Sequence, residues 1–193
     1  MIHSKHWIAA VPARRWLAAI ATFALAFVPP EADVQRAEAS EASVKAAFLY
    51  KFANYIEWPP AAFAAPASPL VIGVVGADDI GTELERIAPG RAVNGHPVSV
   101  KRVREGEALR GIHLLFIGKD QPALAALLRS AQGQSVLTVT DADRGLEMGS
   151  AINFVPAGER IAFEVSLEAA EKSGHRISSR MLSVARRVVG KSS

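Results

Sequence analysis

Cysteine is absent from the 193 residues. No disulfide staples this fold, and its stability rests on packing. A long hydrophobic run is missing as well: the apolar stretch from Trp16 to Val28 stops well short of the ~20 residues a spanning helix needs. Lys5, Arg14 and Arg15 precede that stretch, which is the layout of an export signal, and Ala37-Glu38-Ala39 has the small-x-small form of a cleavage site at an unusually long distance. The expectation is a signal peptide over 1–39 followed by a single domain over 40–193.

Acidic side chains are missing from the carboxyl end. Between Ser40 and Glu171 there are 12 Lys and Arg against 16 Asp and Glu. Beyond Glu171 stand Lys172, Arg176, Arg180, Arg186, Arg187 and Lys191 with no acidic residue. The overall +3 therefore hides a cationic segment on an acidic body, suited to an anionic ligand or an acidic protein surface. Nucleic acid is excluded as the natural partner of an exported chain.

Catalytic signatures are lacking too. Gly73-Val-Val-Gly76 follows a strand-like run but is not G-x-G-x-x-G, and lacks the glycine that lets a pyrophosphate approach. No serine or cysteine nucleophile signature occurs, and His96, His113 and His175 fall in separate elements. Asp141-Ala-Asp143 has oxygen ligands but no surrounding ligand cluster, so it reads as an ordinary acidic loop. No enzyme, metal site or cofactor is indicated.

What is present is a clear alternation of elements. Ser43 to Glu57 reads as a helix with a core face of Val44, Ala47, Phe48, Phe52, Tyr55 and Ile56, stopped by Pro59. Leu70–Gly76 and Ile112–Gly118 are continuous apolar runs of the kind that form strands covered on both faces. Asp78 and Asp79 are expected to cap a helix ending near Ala88. Asn94-Gly95 marks a turn before a half-exposed strand at Val98, Val100 and Val103. Gln121-Pro122 opens a helix to Ala131, and Val136–Thr140 makes a further strand.

After that the pattern changes. Ile152–Val155 and Ile161–Val165 flank Pro156-Ala-Gly-Glu159, a hairpin signal. Helices follow at Leu167–Ser173 and Ser179–Val189, the latter with Met181, Leu182, Ala185, Val188 and Val189 on its buried side. The fold expected is an α/β three-layer sandwich: a mostly parallel sheet flanked by helices, with an antiparallel hairpin at one edge.

Three groups of residues are candidates for binding. His175, Arg176, Ser178 and Ser179 stand at the start of the last helix, where free N–H groups favour a small anion, and Arg180 and Arg187 extend the positive stripe. Serine caps with solvated arginines give the same pattern without a ligand. Tyr50, Asn54 and Trp58 recur every four residues beside the apolar face of the first helix, a contact stripe or simple packing. Asn153 and Glu164 are placed to share one face of the hairpin, where a carboxylate near Arg176 or Arg180 would form a polar cluster; ordinary edge polarity or a structural salt bridge gives the same pattern.

Several segments together resemble one family. They are Lys45-Ala-Ala-Phe-Leu-Tyr-Lys-Phe with Glu57-Trp-Pro, Leu114-Leu-Phe-Ile, Gly149-Ser-Ala-Ile-Asn-Phe-Val, Phe163-Glu-Val and Ile177-Ser-Ser-Arg-Met-Leu. This combination, covering Val44 to Val189, is similar to the YfiR family. The resemblance implies a periplasmic, often dimeric α/β regulator that binds the sensor domain of an inner-membrane diguanylate cyclase and represses it, lowering cyclic-di-GMP and biofilm formation. It also implies an OmpA-type outer-membrane lipoprotein as a second partner. Several relatives carry cysteine pairs that are absent here, and Ser166 stands where relatives often have asparagine. A module that binds a small anion or nucleotide and serves another membrane sensor, such as a histidine kinase, is the competing expectation.

Overall fold

A computed structural model describes residues Glu31–Gly190. The chain divides into Met1–Glu31 and Ala32–Ser193, and the second unit holds every strand described below. The basic and apolar parts of the expected signal peptide lie outside the described residues, and Ala37-Glu38-Ala39 falls within the first helix.

In chain order the elements are α1 (Glu31–Asn54), β1 (Ile56–Glu57), β2 (Leu70–Val75), α2 (Asp78–Ile87), β3 (Ala92–Val93), β4 (His96–Arg102), β5 (Leu114–Ile117), α3 (Leu124–Ala131), β6 (Leu137–Thr140), β7 (Ile152–Ala157), β8 (Arg160–Ser166), α4 (Leu167–Lys172), β9 (Arg176–Ile177), α5 (Ser179–Leu182) and β10 (Arg187–Val189). Eight strands form one sheet in the order β10-β8-β7-β6-β5-β2-β4-β3. The run β7-β6-β5-β2-β4 is parallel, as the alternation of strands and helices requires. β1 and β9 make a separate antiparallel pair.

The apolar runs explain the centre. Leu70, Ile72, Val74, Leu114, Phe116, Leu137, Val139, Ile152, Phe154, Phe163 and Val165 fill one face, packed under α1 and α2. Leu115 and Ile117 alternate to the other face, where Leu124, Leu127 and Leu128 of α3 cover them. A strand enclosed on both sides needs apolar residues at every position, hence the unbroken runs in the sequence. Burying each such side chain is worth about 1.5–3 kcal/mol.

Turn chemistry follows the same local logic. Asn94 (φ 50°) and Gly95 (φ 87°) are both left-handed, the conformation that the two-residue β3–β4 hairpin demands. Gly158 (φ 64°) opens the tight turn between Ala157 and Arg160, which pair across the β7–β8 hairpin.

Four expectations are corrected. α1 ends at Asn54, and Ile56–Glu57 instead pair with β9. The residue before a proline disfavours the helical conformation, and the Trp58 indole N–H donates to the Ala53 carbonyl at 3.0 Å, closing the helix end. The core face of α1 is also rotated: Ala42, Lys45, Ala46, Leu49, Phe52, Ala53 and Ile56 are buried while Val44, Ala47 and Tyr55 are exposed. Small alanines bring the helix close to the sheet, and an inward charge on Lys45 is satisfied there.

Asp78 and Asp79 do not cap α2. Ala77 is the N-cap residue and offers no side-chain acceptor, and Asp78 Oδ1 accepts from Arg102 Nη1 at 3.0 Å. Arg102 lies across Gly81, where any Cβ would meet its guanidinium at 2.8 Å.

The largest correction is at the carboxyl end. The expected helix Ser179–Val189 is a single turn, Ser179–Leu182, after which Arg187–Val189 pair parallel with Glu164–Ser166. A helix through Val189 would leave the outer edge of β8 without hydrogen-bond partners, whereas two β-branched valines suit an edge strand. β10, not the β7–β8 hairpin, is therefore the sheet's edge, and Val188 is exposed rather than on a buried helix face.

Candidate functional site

The two most informative sequence segments meet. β1 and β9 pair with Ile56 opposite Ile177 and Glu57 opposite Arg176, and Ser178 N–H donates to the Tyr55 carbonyl at 2.9 Å. This clasp joins the end of α1 to the start of α5. Ser178 then accepts from Met181 N–H as the α5 cap, while Met181 is buried and anchors the turn.

Arg176, Ser179 and Arg180 are exposed on this clasp and turn. Neither arginine forms an ion pair among the described residues. Val184, 69% exposed, follows α5 and adds an apolar spot beside the charges. Such a surface can grip an acidic protein face.

The other candidate residues divide. Trp58 is half-buried with its ring edge-on to His175, centroids 4.9 Å apart, so it supports the clasp from beneath. Asn54 is exposed and donates to the Tyr50 carbonyl at 3.0 Å. Tyr50 lies toward β3, under the Arg91 guanidinium at 4.9 Å, and does not join Trp58 in one patch. His175 is 1% exposed, beyond the reach of an external anion.

Arg187 sits on β10 directly opposite Glu164, to which Nη2 donates at 2.7 Å. The expected partnership of Glu164 with Arg176 or Arg180 is thus replaced, and Arg180 and Arg187 do not share a helix face. The Glu164 carboxylate holds the Arg187 guanidinium above its ordinary pKa. Asn153 and Glu164 are cross-strand neighbours on one face. The Asn153 amide oxygen, buried, accepts from the Thr140 hydroxyl at 2.7 Å, a structural tie under Gly145.

Beneath the clasp lies a histidine cluster at the amino ends of β2, β4 and β5. Phe63 stacks on His96 at 3.6 Å and on His113 at 4.6 Å, and Trp58 stands edge-on to His113 at 6.1 Å. His113 Nδ1 accepts from Val71 N–H at 3.1 Å. Burial pushes both imidazoles toward the neutral form, His175 down to about 4, and each is further opposed by a neighbouring histidine.

Sequence reasoning missed a second polar centre. At the carboxyl ends of β5 and β6, Lys45 reaches Asp141 Oδ2 and Glu41 Oε1, each at 2.6 Å, and Lys119 N–H donates to Asp141 Oδ1 at 2.7 Å. Burial acts to lower the Lys45 pKa, but the hydrogen bonds to Asp141 and Glu41 outweigh it and raise the ammonium above its usual value. A cleft of about 840 Å³ opens beside them, walled by Phe154, Pro156 and Ile161. The sequence signal was a lysine in α1 followed one turn later by the apolar Phe48 and Leu49. The Asp141 carboxylate is committed to this pair.

Sheet, clasp and cationic turn define an α/β domain that exposes a charged surface at Arg176 and Arg180. A model of the YfiR/HmsC-like family matches residues 42–186, and the chain belongs to that family. The family consists of periplasmic, non-catalytic regulators linked to cyclic-di-GMP signalling. Among curated proteins, no match to the chain is found. No helix among the described residues is long and apolar enough to cross a membrane.

Proposed function

We propose that this protein represses an inner-membrane diguanylate cyclase by docking on its periplasmic sensor domain through the β1–β9 clasp and the α5 turn. The observation that supports this reading is the exposure of Arg176 and Arg180 on the hydrogen-bonded clasp and the adjoining α5 turn, without carboxylate partners among the described residues. Repression requires tighter binding to the inactive cyclase state than to the active one. Arg187 is excluded from the contact set because Glu164 occupies it. A homodimer and sequestration by an OmpA-type lipoprotein belong to the same reading. The small-anion reading is weaker: His175 is buried, and α5 has only four residues to supply a dipole.

The test is the charge reversal of Arg176 and Arg180 to glutamate in the full chain. Affinity for the isolated sensor domain should fall at least about tenfold, with the salt dependence reduced, and cyclase activity should rise in cells. Arg187→Gln should leave both unchanged. If the double reversal alters neither binding nor cyclase output, the surface assignment is wrong.

A further inference from the structure

The clasp stands on two buried imidazoles that are built to be neutral. His113 and His175 are 4% and 1% exposed, and the Nε2 atom of each has no hydrogen-bond partner among the described residues. The Ala62 backbone near His113 opposes the effect of burial on its pKa without overcoming it.

Tautomers follow from the partners. Val71 N–H donates to His113 Nδ1, so that nitrogen bears a lone pair and the proton resides on Nε2. Protonating His113 sets an Nδ1–H against the Val71 N–H and removes the bond. Ser173 Oγ is within reach of the Ala169 and Ala170 carbonyls at 3.2 and 3.0 Å and lies 2.9 Å from His175 Nδ1. With the hydroxyl proton given to a carbonyl, Nδ1–H of His175 donates to Oγ and Nε2 holds the lone pair. Protonating His175 then places an N–H in a buried spot with no acceptor, which is costly.

Among the described residues no carboxylate compensates. The titratable groups facing the pair are the two imidazoles themselves and His96, stacked across Phe63 from His113 and donating its Nδ1–H to the Ser68 carbonyl at 2.7 Å. Glu57, Glu171, Lys172 and Arg176, close by in the chain, are exposed. Around the pair, Trp58, Phe63 and the β2 backbone supply only aromatic faces and a peptide donor.

We propose that His113 and His175 form an acid-sensitive latch: protonation releases Trp58 and Phe63 from the cluster and opens the β1–β9 clasp, while the sheet stays folded. The cover is the part able to yield. The segment from Pro59 to Pro69 is largely exposed, and the clasp is only two residues long on each strand, whereas β5 and β6 are fully buried. The consequence for a partner rests on the docking reading above: opening separates Arg176 from Glu57 and dismantles the surface. A cysteine-free chain has no thiol trigger; protons supply one.

The experiment is an NMR titration of the full-length protein between pH 7.5 and 4.5. It follows the imidazole signals together with hydrogen exchange of clasp amides (Ser178) and core amides (Leu115, Thr138), corrected for intrinsic exchange rates. One imidazole that titrates near 4 closed and near 6.5 open favours the open form roughly 30-fold at pH 5. Clasp protection should therefore fall by at least that factor while core protection persists. His113→Asn with His175→Asn keeps the local polarity without the charge and should abolish the pH dependence. Clasp protection that stays constant through the imidazole titration overturns the latch, and so does simultaneous loss of clasp and core. If the double variant does not fold, the wild-type comparison of imidazole and amide titrations decides alone. Binding of the sensor domain at pH 7 and pH 5 is a separate arm: absence of binding at both sinks the docking reading and leaves the amide result standing.

Discussion

The ammonium of Lys45 in the first helix lies 2.6 Å from the carboxylate of Asp141, just past β6, and both side chains are less than one-tenth exposed. This bond spans 96 positions of sequence and fixes the helix over the carboxyl ends of the central strands. A buried pair of this kind adds little net stability relative to an apolar replacement, but breaking it on one side is expensive.

Lys45→Met should therefore destabilise the protein by about 3 kcal/mol, lowering Tm by roughly 10 °C. Adding Asp141→Asn, which removes the orphaned charge while keeping an acceptor for Lys119 N–H, should recover at least about 1 kcal/mol. Urea denaturation of the four members of this cycle measures the coupling; strict additivity would show that the pair is not energetically linked.

Gly118 has no room for a side chain. A Cβ there would lie 2.1 Å from the Gly76 carbonyl oxygen, where the ends of β2 and β5 converge, and backbone cannot swing aside as a flexible side chain would. Gly118→Ala should cost about 3 kcal/mol or more, or prevent soluble expression. By contrast, Gly106 has φ 78° but nothing near its Cβ, so asparagine, which accepts the left-handed region best among other residues, should cost only about 1 kcal/mol.

Four phenylalanines bind α1 to the hairpin. Phe52 stacks on Phe154 at 5.6 Å and meets Phe163 edge-on at 4.8 Å, with Phe48 completing the group. Phe52→Ala should lose about 3–5 kcal/mol, and Phe52→Leu substantially less. Chemical denaturation monitored by circular dichroism reads both.

Global stability should have an acid limb. The folded His175 titrates near 4 because it is buried and beside His113, and the unfolded residue near 6.5. Between those values the unfolded chain binds more protons than the closed fold, so stability is complete above about pH 6.5 and declines as pH falls, until clasp opening frees His175 to titrate as it does unfolded and this residue adds no further slope. His175→Asn should flatten that part of the stability–pH curve, measured by urea melts from pH 7.5 to 4.5. An unchanged slope would show that His175 does not set it.

Much of the scaffold was legible in the sequence because its causes are local. Leu70–Val75 and Leu114–Ile117 are apolar at every position since both faces of the sheet are covered, and Asn94-Gly95 is a turn since both residues must be left-handed. The misreadings occurred where distant partners override local preference. Arg187-Val188-Val189 follows a serine-capped turn and extends its helical spacing on paper, yet the open edge of β8 draws it into a strand. Lys45 is absent from the core face expected of the first helix, and only the arrival of Asp141 beneath it shows why it is buried.

The sequence by itself determined the alternation of strands and helices, the hairpin, the cationic terminal segment and the family, because periodicity, turn residues and motif spacing are properties of neighbours along the chain. Only the tertiary structure decided that Ile56–Glu57 would meet Arg176–Ile177, that Arg187 would be taken by Glu164 while Arg180 stayed free, and that His113 and His175 would be buried together. Those outcomes depend on which hydrogen-bonding edges and charges remain unsatisfied once the sheet has formed, and no short window of sequence contains that information.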